Sequence, residues 1–301
     1  MPPRLSVVMP SYNQGPFITR AIESVLHQGI KDLELIVMDG GSKDNTVAIL
    51  SDFARKDSRI RFVSGPDRGQ ADAVNKGLAQ TTGDVIGWLN SDDLYYPGAF
   101  SAILQFLDNY PHIDVVYGDG DHVDENERIL RRHPTEPWNQ HRLEESVIIS
   151  QPSAFFRRRV VEQCGMLDES LHYSLDYEYW LRLSQAGMRF AYLPRVLSGT
   201  RMHDGAKTID RRLAMHVEVN DMLKRRLGYV PDRWLLNYAF VAAGADTHLR
   251  LSTPLRALAV LPVAARASLK WNGTLRGASF LEWAQGIGEK ASRVLERKRA
   301  A

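Results

Sequence analysis

The chain has 301 residues, 44% hydrophobic and 25% charged, with a formal net charge of +2. That is enough for one large α/β domain with an appendage, or for two ordinary domains, and the balance excludes wholesale disorder. A single cysteine, Cys164, excludes an internal disulfide, so a reducing compartment and a packed, inert thiol are expected.

Charge is unevenly placed. From Gly205 to the end, 17 Lys and Arg stand against 8 Asp and Glu, a net +9 that leaves −7 for the first 204 residues. No basic run interleaved with aromatic residues occurs, which argues against nucleic acid as a partner, whereas anionic lipid suits the basic end. The opening MPPRLSVVMPSYN lacks the long apolar region of a secretory signal. The apolar stretch Leu255 to Trp271 is cut by Arg256, Pro262, Arg266 and Lys270, so no membrane span is expected there.

In chain order, Leu5 to Met9, Leu33 to Met38, Arg59 to Val63 and Asp84 to Leu89 read as strands. Between them, Phe17 to His27, Asn45 to Arg55 and Gln70 to Ala79 carry apolar residues at helical spacing. Such βαβ repetition predicts parallel strands, with ligands bound outside their carboxyl ends. Three polar clusters fall at those ends: Pro10-Ser11-Tyr12-Asn13, Asp39-Gly40-Gly41-Ser42 and Asn90-Ser91-Asp92-Asp93. Residues 113–132 read as a hairpin, and QPSAFFRRRVVEQCG as a strand entering a helix that stops at Gly165. LDYEYWLRLSQAG reads as a helix ending at Gly187, FAYLPRVLSGTRMH as a strand, and the chain from Ile209 onward as helices.

Two adjacent carboxylates after a buried strand repel unless a cation lies among them, and a hard divalent ion that carries a diphosphate is one answer for Asp92-Asp93. Taken alone, the pair reads as a turn or helix cap before Pro97, and the cation reading gains weight only from the other clusters. Asp39 could accept a hydrogen bond from a base N–H, or serve only a strand-to-helix turn with Ser42 as its cap. Arg68 could hold a phosphate or a nucleobase carbonyl, or lie on a solvated turn. Asp176 and Glu178 suit a helix start electrostatically, and either suits a general base. His203 offers an imidazole to a metal or phosphate from what also reads as an ordinary loop.

Together, SVVMPSYNQGPFITRAIESVLHQ, LIVMDGGSKDNT, GPDRGQADAVNKGLAQTTGDVIGWLNSDD and LDYEYWLRL resemble the family 2 glycosyltransferases, over about Leu5 to Thr208. The resemblance implies an α/β protein of the GT-A nucleotide-diphospho-sugar transferase fold, with an open, mostly parallel central sheet flanked by helices. Residues 1–208 would form the catalytic domain, with 1–110 binding nucleotide-sugar and 111–208 the acceptor, and 209–301 a helical C-terminal extension. Pro10, Tyr12 and Asp39 then correspond to the nucleobase pocket, Arg68 lies near base or phosphate, and Asp92 near ribose or sugar. Asp93 becomes the principal ligand of Mn²⁺ or Mg²⁺, with His203 a second, and Asp176 the base of a single inverting displacement. Glu178 stays open as an alternative base. Leu175 and Asn90 depart from the family pattern, which commonly has Glu and Asp there.

The expected activity is transfer from a nucleotide-sugar, UDP- or dTDP-linked, to a hydroxyl of a glycan or lipid-linked acceptor in cell-surface polysaccharide synthesis. The expected location is cytoplasmic, with peripheral contact at the inner face of the membrane. Transfer to a polyprenyl phosphate and a non-catalytic nucleotide-sugar-binding scaffold are the alternatives.

Overall fold

The computed structural model describes residues 4–203, 211–244, 253–275, 279, 282–285 and 287–288. Contacts divide the chain into two compact units, Met1–Leu143 with Val147–Asp204, and Glu144–Ser146 with Gly205–Ala301. The expected boundary at residues 208–209 lies outside the described residues.

In the first unit, β1 (Leu5–Ser11), β2 (Leu33–Asp39), β3 (Ile60–Ser64) and β4 (Val85–Trp88) are parallel in the order β3-β2-β1-β4. Helices α1 (Ile18–Leu26), α2 (Thr46–Lys56) and α3 (Gln70–Leu78) are the crossovers. β1 is buried along its whole length, as a central parallel strand covered on both faces must be. Alternation assigns the faces: Leu5, Val7, Met9, Leu33, Leu35 and Val37 join one core with Ile18, Ala21, Ile22 and Val25 of α1, while Ile36 and Met38 meet Ala73 of α3 on the other. Helix α3 lies so close to the sheet that a Cβ on Gly77 would stand 2.4 Å from Val8 Cγ1.

Beyond β4 the sheet becomes mixed. β5 is the two-residue strand Leu94–Tyr95, α4 spans Ala99–Asn109, β6 Val115–Val123 and β7 Ile129–Arg132. After α5 (Gln140–Glu145), a 3₁₀ turn at Gln151–Ser153 leads into β8 (Ala154–Arg157) and α6 (Arg158–Cys164), followed by α7 (Leu175–Gln185) and β9 (Phe190–Arg201). β8 runs antiparallel between β4 and β6; β9 is parallel to β6, and β5 and β7 are antiparallel on β9 and β6. Phe155 of β8 packs on Tyr95 and Phe100. On the opposite face, Phe156 meets Tyr179 and Trp180 of α7 at 5.7 and 6.2 Å between ring centroids. Cys164, half-buried at the end of α6, has its thiol pushed up by burial.

The second unit is helical in its described part: α8 (Arg212–Leu227), α9 (Asp232–Ala242) and α10 (Thr253–Asn272). Trp271 Nε1 donates to Asp221 Oδ1 at 2.7 Å, and Asn272 exchanges two hydrogen bonds with the backbone of Val230. No helix among the described residues is long and apolar enough to cross a membrane.

Candidate active site

Strand register brings the first two polar clusters together. Ser11 of β1 pairs with Asp39 of β2, and Asp39 with Ser64 of β3, so the three carboxyl ends share one rim. The loops that follow are stitched by backbone donors: Gly40 N–H to Ser11 C=O at 2.8 Å, Asn13 N–H to Ser42 Oγ at 2.8 Å, Lys43 N–H to Asn13 Oδ1 at 2.8 Å and Gly15 N–H to Asp44 Oδ2 at 2.9 Å. Asn13 accommodates this crossing with φ of 52°, in the left-handed region that Asn tolerates.

Pro10 is buried within β1, whereas Tyr12 is 58% exposed at its end. Gly40 lies against that tyrosine ring and against Asp67: a Cβ there would stand 3.3 Å from Tyr12 Cδ2 and 2.6 Å from Asp67 Oδ2. Asp39 is only 3% exposed. Its Oδ2 accepts from the N–H groups of Gly41 and Ser42 at 3.1 and 3.0 Å and from Ser64 Oγ at 2.6 Å, while Oδ1 accepts from Ser42 Oγ. Asp39 therefore builds the turn as well as facing the rim, and Oδ1 is the atom with capacity left for a ligand donor. Arg68 lies just before α3, its guanidinium exposed and paired with Asp72 at 2.9 Å and with Glu169.

At the end of β4, Asn90 is a hub. Its Oδ1 accepts from Gln70 Nε2 at 2.7 Å and Trp88 Nε1 at 3.1 Å, and its Nδ2 donates to Asp93 Oδ2 and Gln151 Oε1, both at 3.2 Å. Two acceptances and two donations require an amide, so this departure from Asp is built into the network.

The two following aspartates face different surroundings. Asp92 Oδ2 lies 3.1 Å from His203 Nε2, and this contact raises the imidazole pKa above its ordinary value. Asp93 is 2% exposed, with Oδ1 accepting the Arg201 N–H at 2.9 Å and Oδ2 accepting Asn90 Nδ2. Burial, and then the neighbouring Asp92 charge, pushes the Asp93 carboxyl well above the usual range. Of the two aspartates it is Asp92 that meets His203, while the Arg201 backbone N–H and the Asn90 amide hold Asp93 in the interior. Among the described residues, no group of three or more His, Cys, Asp or Glu side chains converges as a metal cage.

Asp176 sits in the first turn of α7, partly buried. Burial pushes its carboxyl up to about 6, against the pull of the N–H groups of Tyr177 and of Asp176 itself. It shares no hydrogen bond with Asp92, Asp93 or His203 among the described residues. Glu178 is 1% exposed and held by Arg182 through contacts of 3.0 and 3.1 Å, while the same guanidinium donates to the Met166 C=O at 2.7 Å. That commitment weighs against Glu178 as the alternative base. Gln70, Gln151 and Arg201 were given no role from sequence; Arg201 stands two residues before His203 at the end of a strand pattern, the one signal that could have found it.

The fold is the GT-A fold. It is shared with Staphylococcus aureus TarS residues 1–349, crystallised with UDP-GlcNAc, at a TM-score of 0.65 and 16% identity over 96% of this chain and 92% of that one. The mannosyltransferase PcManGT from Pyrobaculum calidifontis, in complex with GDP-Man and Mn²⁺, aligns at a TM-score of 0.60 and 20% identity over 96% of this chain and 80% of that one. Residues 6–165 match Glycosyl transferase family 2, and the chain belongs to that family. Among curated relatives, the chondroitin synthase of Escherichia coli is 28% identical over 228 residues, which cover 74% of this chain and 33% of that protein. The hyaluronan synthase of Pasteurella multocida is 27% identical over 229 residues, 74% of this chain and 23% of that one. The chain thus spans a third or less of the length of these two synthases.

Proposed function

We propose that this glycosyltransferase moves a sugar from a UDP- or dTDP-linked donor to a hydroxyl of a glycan or lipid-linked acceptor, with inversion, in cell-surface polysaccharide synthesis. The observation that carries this reading is the Asp92–His203 pair at the strand-end rim, one carboxylate oxygen and one imidazole nitrogen 3.1 Å apart. A carboxylate and an imidazole fit Mn²⁺, and the carboxylate alone also suits Mg²⁺; two protein ligands leave positions for diphosphate oxygens and water. When bound, the cation supplies Lewis-acid stabilisation to the departing diphosphate.

The chain's own residues do the rest. Tyr12 and Asp39 form the base end of the donor site, beside Pro10, and Arg68 meets base or phosphate once released from Asp72 and Glu169. Asp176 takes the proton from the acceptor hydroxyl as its oxygen bonds to the anomeric carbon and the bond from that carbon to the diphosphate breaks. A carboxyl raised to about 6 is a competent base near neutral pH. The UDP-GlcNAc held by TarS and the GDP-Man held by PcManGT support a nucleotide-sugar as the donor. The +9 balance after residue 204 supports peripheral contact with an anionic membrane surface.

Incubation with UDP-, dTDP- and GDP-sugars, with Mn²⁺ or with EDTA, tests the assignment. The expected result is release of nucleoside diphosphate from at least one UDP or dTDP donor, abolished by EDTA and restored by Mn²⁺. Release indifferent to chelation, or none from any donor, would remove the metal-dependent reading.

A further inference from the structure

Arg201 ends β9 and is 3% exposed, although arginine is seldom fully buried. Its Nε donates to the Asp92 C=O at 2.8 Å, its Nη1 to the C=O of Glu125 at 2.8 Å and of Asp124 at 3.4 Å, and its Nη2 reaches Glu127 Oε1 at 3.3 Å. Its backbone N–H donates to Asp93 Oδ1. One residue thus grips the backbone of Asp92, the side chain of Asp93 and the β6–β7 turn.

The grip extends to α1. The Glu127 carboxylate is shared with Arg20, whose Nε and Nη2 each donate at 3.0 Å. The Phe17 ring, at the start of α1, lies 5.0 Å from the Arg201 guanidinium and 4.8 Å from the His203 ring. The same phenyl ring therefore packs against the arginine that fixes Asp92 and against the histidine that meets Asp92. The guanidinium touches the Asp92 carbonyl and leaves the Asp92 carboxylate to His203.

We propose that Arg201 is a positioning residue: with Phe17, Glu127 and Arg20 it forms a latch that holds Asp92 and His203 at the separation a divalent cation needs. The proposal rests on the cation reading of that pair. Only a planar fork with several donors spans the carbonyls of Asp92 and Glu125 and the carboxylate of Glu127 together, so lysine keeps the charge and loses the geometry. Residues that orient metal ligands from behind typically change metal affinity by about 10- to 100-fold when altered.

The test uses the full chain carrying Arg201→Lys, Glu127→Gln or Phe17→Leu, each checked for folding by circular dichroism and thermal melting. Mn²⁺ binding is read by electron paramagnetic resonance with UDP present. In the metal-free protein, the His203 ring nitrogens are read by ¹⁵N NMR. Folded Arg201→Lys is expected to bind Mn²⁺ at least about tenfold more weakly than wild type, with altered His203 shifts. Glu127→Gln, which spares the carbonyl contacts, is expected to show a smaller change of the same sign. If wild type binds Mn²⁺ and folded Arg201→Lys binds it equally well, the latch is overturned while the cation reading stands. If wild type binds none, the cation reading falls, and unchanged His203 shifts in Arg201→Lys overturn the latch as well, whereas altered shifts uphold its positioning of the pair. Should Arg201→Lys fail to fold, Phe17→Leu, which keeps an apolar side chain, decides by the same two readouts.

Discussion

Asp176→Asn is expected to lower kcat for transfer by about 10²- to 10⁴-fold, the range that a positioned general base supplies, while donor binding persists. The same change is expected to stabilise the fold. With its carboxyl raised to about 6 in the folded chain and near ~3.9 in the unfolded chain, Asp176 holds a proton between those values that the unfolded chain has released. Folding stability contributed by this group is therefore complete below about 4 and is lost as pH rises through about 6. At pH 7 the ionised side chain costs up to about 3 kcal/mol, and asparagine relieves it, so the melting temperature rises by roughly 2–4 °C for each kcal/mol relieved. Activity runs in the opposite sense: kcat/KM of wild type falls as pH drops below about 6, where the base becomes protonated. Near-normal turnover by a folded Asp176→Asn variant would place the base elsewhere, and a lower melting temperature would contradict the burial argument.

The second large effect separates two neighbours. Asp92→Asn is expected to melt close to wild type, since the amide Oδ1 can still accept from His203 Nε2 in this largely buried pair, and to lose the Mn²⁺ dependence of donor cleavage. Asp93→Asn should do the reverse. Its two oxygens accept buried donors from Arg201 and Asn90, and an amide turned to keep the Arg201 bond sets its own N–H groups against the Asn90 amide. One buried donor left unmatched costs about 1–3 kcal/mol and relief of the buried charge offsets part of it, so this variant melts lower by less than that cost but keeps its response to Mn²⁺. Thermal melts and donor cleavage at several Mn²⁺ concentrations on both variants check this. Loss of metal response in Asp93→Asn alone would restore Asp93 as the ligand.

The parallel half of the sheet was legible because β1 and β2 are buried on both faces and read as apolar runs with turn residues at their carboxyl ends. α1, α3 and α7 were legible from helical spacing, and α7 also from its stop at Gly187. The two-residue β5 offers no periodicity, and the insertion of β8 antiparallel between β4 and β6 is a long-range pairing that no local pattern encodes. At the site, the polar clusters marked the rim because strand ends collect them. The family resemblance divided Asp92 from Asp93 by role, but their contacts could not be read from sequence, because the partners are Arg201 and His203, more than a hundred residues further on. Glu178 was separable in principle, since Arg182 lies four residues later on the same helix, at the spacing of an ion pair.

The proposed chemistry requires a divalent cation held by Asp92 and His203 and carrying the diphosphate of a nucleotide. Thermal melting of wild type and Asp92→Asn with UDP, dTDP or GDP, each with and without Mn²⁺, measures this most directly, because a ligand bound only by the folded chain raises its stability by roughly 2.7 kcal/mol at a hundred times its Kd. The prediction is a rise in melting temperature with UDP or dTDP that requires Mn²⁺ and disappears in Asp92→Asn. A rise independent of Mn²⁺, no rise with any nucleotide, or a rise undiminished in Asp92→Asn would contradict it.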